Sequence, residues 1–140
     1  MTKFYINLKL LNIILRKKVK KKSQKDIDKI FKKISKNRKY FYSAKDLALI
    51  DSLINDGFSL PSNFDYKNLA EKFDIPKNLL KLIENKQNAF LALKIVEIIG
   101  EDEPHELDPE TIYFITNLLN KMNLKQIRNL VFNTALPLRA

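Results

Sequence analysis

The chain reads as all-α: antiparallel helical hairpins stacked as a short bundle or solenoid-like unit, preceded by a basic N-terminal helical arm. Three observations predict this. Apolar residues recur at helical spacing through most of the 140 residues. Helix start and stop signals fall between those segments. Only two glycines occur, too few for the tight turns that strand hairpins need. No segment shows convincing strand alternation, and the length suits one ordinary domain. The expected division is a basic amphipathic arm over 1–42 and an all-helical domain over 43–140.

In 1–22, Phe4, Leu8, Leu11 and Leu15 form a helical stripe that Ile6, Leu10, Ile13 and Ile14 widen nearly all round, so this segment needs a cover. A lysine run from 17 to 22, broken only by Val19, follows it. From Gln24 the spacing of Ile27, Ile30, Phe31, Ile34 and Phe41 describes an amphipathic helix whose other face is almost all lysine. Ser43 and Asp46 resemble an N-terminal cap, and Leu47, Ile50, Leu53 and Ile54 continue to a stop at Gly57. A loop over 58–64 contains Pro61, after which Asp65 can cap a helix over 66–73. Pro76 pushes Ile75 out of helical geometry and can open the short helix carrying Leu79, Leu80, Leu82 and Ile83.

Asn88 is placed to cap a helix over 89–99 so apolar that it is expected to be central and buried. Gly100 stops it, and an acidic loop covers 101–107. Asp108-Pro109-Glu110 is a strong start signal for a helix bearing Ile112, Tyr113, Ile115, Leu118, Leu119 and Met122. Asn123 can adopt a left-handed cap before a last helix over 124–134 with Leu124, Ile127, Leu130 and Val131, which Pro137 ends. The expected core of the helical domain is Leu47, Ile50, Leu53, Leu69, Phe73, Leu80, Ile83, Leu93, Val96, Ile99, Ile112, Ile115, Leu119, Ile127 and Leu130.

Charge is divided unevenly. Positions 1–45 hold sixteen Lys/Arg against Asp26 and Asp28, a net +14, while 46–140 hold ten Lys/Arg against fourteen Asp/Glu, a net −4. The candidate polyanion-binding residues are therefore Lys17, Lys18, Lys20, Lys21, Lys22, Lys25, Lys29, Lys32, Lys33, Lys36, Arg38 and Lys39. Tyr5, Phe31, Tyr40, Phe41 and Tyr42 are interleaved among them, a mix suited to stacking single-stranded bases or settling at a lipid headgroup layer. Arginine in this region is limited to Arg16 and Arg38, so nonspecific affinity is all that the pattern licenses. An AT-rich genome produces the same lysine bias without selection for a partner.

Positions 66–85 resemble a DNA-binding helix-turn-helix, with Ala70, Ile75, Leu80 and Ile83 at its interior positions and Lys77, Asn78, Lys81 and Asn85 available to contact DNA. Asp74 in place of the usual turn glycine, and Leu79 and Leu82 on the would-be recognition surface, make an ordinary helix pair the simpler expectation. His105 sits among Glu101, Asp102, Glu103, Glu106 and Asp108, but no second histidine exists and the spacing fits no calcium loop, so a solvated loop is expected. Asp46, Asp51 and Asp56 are expected on exposed helix positions or at caps. With no cysteine, one histidine and no glycine-rich phosphate loop, nucleophilic, zinc and nucleotide chemistry all lack parts, and a non-enzyme with no cofactor is expected.

From Lys45 onward the chain resembles the C-terminal region of uncharacterised helical-repeat proteins from alphaproteobacteria. The likeness rests on Leu47-Ala48-Leu49-Ile50-Asp51-Ser52-Leu53, Asp56-Gly57 with Leu60-Pro61, the segment 89–100, Leu107-Asp108-Pro109-Glu110-Thr111 and Ala135-Leu136-Pro137-Leu138-Arg139. It implies an all-α stack with no catalytic residues to carry over. The function expected is a non-catalytic helical interaction module that binds another macromolecule. A protein is the expected partner, with nucleic acid as the alternative and an anionic membrane surface, met by residues 3–42, as the second. A small-molecule ligand is not expected. The apolar stretch near the N-terminus is too short to span a bilayer, and its basic run follows rather than precedes it, so the chain as written is expected in the cytoplasm.

Overall fold

A computed structural model of the chain describes residues 3–15, 20–37, 39–73, 77–99 and 107–136. Among these the ordered elements are helices and no strand is present: α1 (Lys3–Leu15), α2 (Lys20–Ser35), α3 (Ala44–Asn55), α4 (Tyr66–Ala70) running into a 3-10 turn (Glu71–Phe73), α5 (Lys77–Glu84), α6 (Asn88–Ile99), α7 (Pro109–Lys121) and α8 (Lys125–Ala135).

Local chemistry sets the helix ends. The Ser43 hydroxyl accepts from the Asp46 amide while the Asp46 carboxylate accepts from the Ser43 amide, a complete capping box that opens α3. Gly57, at φ 90°, lets the chain turn back after α3 at no steric cost. Asp65 caps α4 by accepting from the Asn68 amide, and Asp108 caps α7 by accepting from Thr111, with Pro109 in the first turn. Asn123 takes the left-handed conformation, φ 57°, in the turn from α7 into α8.

The centre of the molecule is the α3–α7 pair. Ala44, Leu47, Ala48, Leu49, Ile50 and Leu53 of α3 are buried, as is every residue from Ile112 to Leu119 of α7 except the half-buried Phe114. Burying a Leu or Ile side chain of this kind stabilises by about 1.5–3 kcal/mol. The larger apolar cluster joins Ile112 and Tyr113 of α7 to α3 and to Phe132, Ala135 and Leu136 of the α8 end. It also takes in Leu10, Leu11, Ile13 and Ile14 of α1 and Ile27, Ile30, Phe31 and Ile34 of α2, so the apolar faces of the basic region belong to the core. A smaller cluster on the other side of α7 joins Ile115, Leu118, Leu119 and Met122 to Leu91 and Ile95 of α6.

The loop after α3 holds α2 in place. The Gln24 amide donates to the Ser59 carbonyl and its oxygen accepts from the Ser59 amide. The Phe31 and Phe64 rings meet at 5.3 Å between centroids, and Tyr42 meets Phe64 at 4.9 Å.

Three expectations are corrected. The stripe that spacing carries from Gln24 to Phe41 ends at Ser35, because Asn37 accepts from the Lys39 amide in a side-chain turn that breaks the helix. Phe41 follows that turn, 72% exposed. The strongly apolar α6 is not central: Leu91 and Ile95 face α7, while Phe90 and Leu93, on the opposite side of the helix, are exposed, Leu93 by 67%. Ile127 and Leu130, expected in the core, are also exposed, Leu130 by 64%. In α8 the inner face is taken by Arg128, Phe132 and Ala135, and this phase turns Ile127 and Leu130 outward. Of the remaining expected core, Leu69, Phe73 and Leu80 are half-buried, and the side chains of Ile83, Val96 and Ile99 lie outside the described residues.

Candidate polyanion-binding face

The lysine face of α2 is fixed by what lies behind it. Ser23, Ile27, Ile30, Phe31 and Ile34 are buried, so helical geometry turns the rest of the helix to water. Lys21, Lys22, Lys25, Lys29, Lys32 and Lys33 are all exposed there, and Lys36 and Lys39 are exposed in the segment that follows the helix. Lys20 starts α2 with its side chain outside the described residues, and Lys17, Lys18 and Arg38 lie outside them altogether. At 3.6 residues per turn the six lysines divide into flanks. Lys22, Lys29 and Lys33 share one side with Asp26, and Lys21, Lys25 and Lys32 share the other.

On the Asp26 flank, α1 and α2 enclose a groove of about 200 Å³. Lys9 and Asn12 of α1 form one wall, Asp26, Lys29 and Lys33 of α2 the other, and Ile13 and Ile30, each 4% exposed, form the floor. Lys9 and Asn12 carry no sequence signal that singles them out, because their part depends on how α1 docks against α2. A second, more open cleft of about 400 Å³ at the start of α7 sets Lys72 among Asp108 and Glu110, which leaves its ionised lining at a formal net −1.

The aromatic residues interleaved with the lysines are mostly committed elsewhere. Phe31 is in the core, and Tyr40 and Tyr42 are half-buried with their rings 5.2 Å apart. Burial, then the nearby Asp46 charge, pushes the Tyr42 hydroxyl up to about 12, and the same causes raise Tyr40. Phe41 is the described aromatic of this group presented to solvent; the Tyr5 side chain lies outside the described residues.

At the helix-turn-helix resemblance, α4 with its 3-10 turn and α5 flank positions 74–76, which lie outside the described residues. Lys77, Lys81 and Asn85 are exposed; the side chains of Asn78, Leu79 and Leu82 are outside the described set. The principal packing partner of α5 is α6, the helix that follows it. His105 and its neighbours at 101–106 are also outside the described residues, among which no group of three or more His, Cys, Asp or Glu is placed to hold a metal ion.

Of the acids expected on exposed helix positions or at caps, Asp46 and Asp56 are at caps of α3, though Asp46 is buried, while Asp51 is drawn towards the interior. Asp56, at the C-terminus of α3, receives both terminal nitrogens of the fully buried Arg128 at 2.8 and 2.9 Å. Arg128 also donates to Asn120 Oδ1 and Asn129 Oδ1, and Lys125 Nζ stands 3.5 Å from Asp56. Asn120 and Asn117 in turn donate to Asp51, at 2.8 and 3.0 Å. Tyr66 donates to the same carboxylate and sits 3.1 Å from the Tyr113 hydroxyl. Burial raises the Asp51 carboxyl above its ordinary range, against the opposing donors and the Lys121 charge. This chain of polar groups ties α3, α4, α7 and α8 together. The sequence signals for it were Asn117 and Asn120, three apart on an otherwise apolar helix, and an arginine in phase with Phe132.

Compared with known proteins, the chain matches no family model, no curated protein and no solved structure.

Proposed function

We propose that this protein is a non-catalytic helical module that binds a polyanion, nucleic acid above all, through the outer face of α2. One observation carries the reading: six lysines are exposed on one helix whose opposite side is locked into the core, with Lys36 exposed just past its end. A rigid row of ammonium groups releases counterions from a phosphate backbone and binds it without reading its sequence. Stacked antiparallel hairpins, and kinship with the helical-repeat proteins, belong to the same proposal; the turn at Asn123 between α7 and α8 supports the first.

Attachment to an anionic membrane draws on the same lysines but needs the apolar side of α1 and α2 to enter lipid. Leu10, Leu11, Ile13, Ile14, Ile27 and Ile30 are buried in the protein instead, which favours a soluble polyanion. No described helix is long and apolar enough to cross a membrane. A protein partner is favoured by a separate observation, the exposure of Phe90 and Leu93 on α6 and of Ile127 and Leu130 on α8.

The test is fluorescence anisotropy of labelled single-stranded and duplex oligonucleotides, titrated with the whole chain at low and physiological salt. Deleting the basic region is no control, because it would strip α1 and α2 from the core. Affinity that falls steeply with salt supports the reading; no binding at low salt refutes it and leaves the α6–α8 surface as the one to pursue.

A further inference from the structure

We infer that the groove between α1 and α2 is the seat of a backbone phosphate, so that the polyanion is held at one place on the lysine face rather than spread across it. This rests on the reading of α2 as the polyanion-binding helix. Lysines on the outer flank share it with the exposed Asp28 and stand in water, where each contributes a screened and mobile charge. In the groove, Lys9 from one helix converges with Lys29 and Lys33 from another, over a floor of two buried isoleucines. A concave site with low-dielectric walls concentrates the field of its charges, and two packed helices hold their ammonium groups facing one another. Asn12 adds an amide donor to the same rim.

Among the described residues, Asp26 is the one carboxylate lining the groove. It leaves the four ionised groups that line it, with Lys9, Lys29 and Lys33, at a formal net +2, a surplus suited to a phosphodiester. It also supplies a control, since any phosphate seated there meets its repulsion. Asp28, two residues on, is exposed on the side of α2 away from the groove.

The experiment compares variants of equal charge by anisotropy with a labelled single-stranded oligonucleotide at low salt. Lys9→Gln with Lys29→Gln and Lys33→Gln is set against Lys21→Gln with Lys25→Gln and Lys32→Gln; Asp26→Asn is set against Asp28→Asn. A seat in the groove weakens binding roughly tenfold more in the first triple than in the second, and Asp26→Asn tightens binding several-fold while Asp28→Asn changes it little. Should Lys9→Gln lower the melting temperature, Lys29→Gln with Lys33→Gln against Lys25→Gln with Lys32→Gln gives the same comparison at exposed positions. Equal losses in matched variants overturn the groove while leaving α2 as the binding helix. Failure of the wild-type chain to bind the oligonucleotide, or binding only to phosphatidylserine vesicles, overturns both.

Discussion

The outer face of α2 carries six exposed lysines, whereas the interior between α3, α7 and α8 carries, among the described residues, a single arginine with no solvent exposure. The first region dominates the net charge and contributes little to folding, because ammonium groups in water keep their hydration and are screened. The second is inconspicuous in composition and holds three helices in register, because Arg128 gave up its hydration and recovered it from Asp56, Asn120 and Asn129. Charge that is counted and charge that is structural are thus separated in this molecule. The surface lysines remain free to meet a partner.

Breaking the interior side of that comparison has the largest expected effect. Arg128→Ala leaves Asp56 buried with only Lys125 nearby and should cost about 3–5 kcal/mol in urea unfolding. Replacing the pair by Arg128→Met with Asp56→Leu should recover much of that loss, and a double variant no more stable than Arg128→Ala would show that the pair is not the unit that matters.

Titration probes the same interior next. Burial, then the Asp51 charge, raises the Tyr66 hydroxyl, and Tyr42 stands at about 12. An unfolded tyrosine ionises at about 10, so the unfolded chain releases its protons first. The stability these hydroxyls contribute is complete below about pH 10 and falls as pH rises towards the folded values. Phenolate absorbance should therefore appear late and together with unfolding, and Tyr42→Phe should flatten the alkaline decline. Asp51, also raised, has the same sign in acid: its contribution is greatest below about pH 3.9 and falls as pH rises through the folded value. Asp51→Asn should remove that pH dependence from denaturant midpoints.

A smaller loss is expected at the hinge between the two regions. Ser43→Ala removes the hydroxyl half of the box that opens α3 and should cost about 1 kcal/mol, read as a lowered melting temperature. The smallest stability change belongs to the lysine face. Each of Lys21→Gln, Lys25→Gln and Lys32→Gln should alter folding by less than about 0.5 kcal/mol. If the face binds nucleic acid, each lysine that meets a phosphate should take about one from the slope of log affinity against log salt. Lysine variants that unfold the protein would erase the distinction between the two regions.

Helix identity and helix ends were legible in the residues themselves. Ser43 with Asp46, Asp65, Asp108 with Pro109, Gly57 and Asn123 each act within a few residues of their own position, so their chemistry is local. The lysine face was legible for the same reason, since its spacing along α2 is a property of one helix. The faces of α6 and α8 were not: an apolar helix has several possible inner sides, and which one is buried depends on its neighbour. In α8 the buried polar pair prevails over Ile127 and Leu130 in setting that side.

The sequence by itself determined an all-α chain, the positions where its helices start, and a lysine-rich flank on α2, because turn chemistry and helical periodicity are short-range. The tertiary structure alone decided that α1 and α2 complete the core, that Arg128 points inward while Leu130 points out, and that Lys9 and Asn12 meet Lys29 and Lys33 across one groove. Those outcomes join residues far apart in the chain, and they follow from which surfaces pack against which once the helices exist.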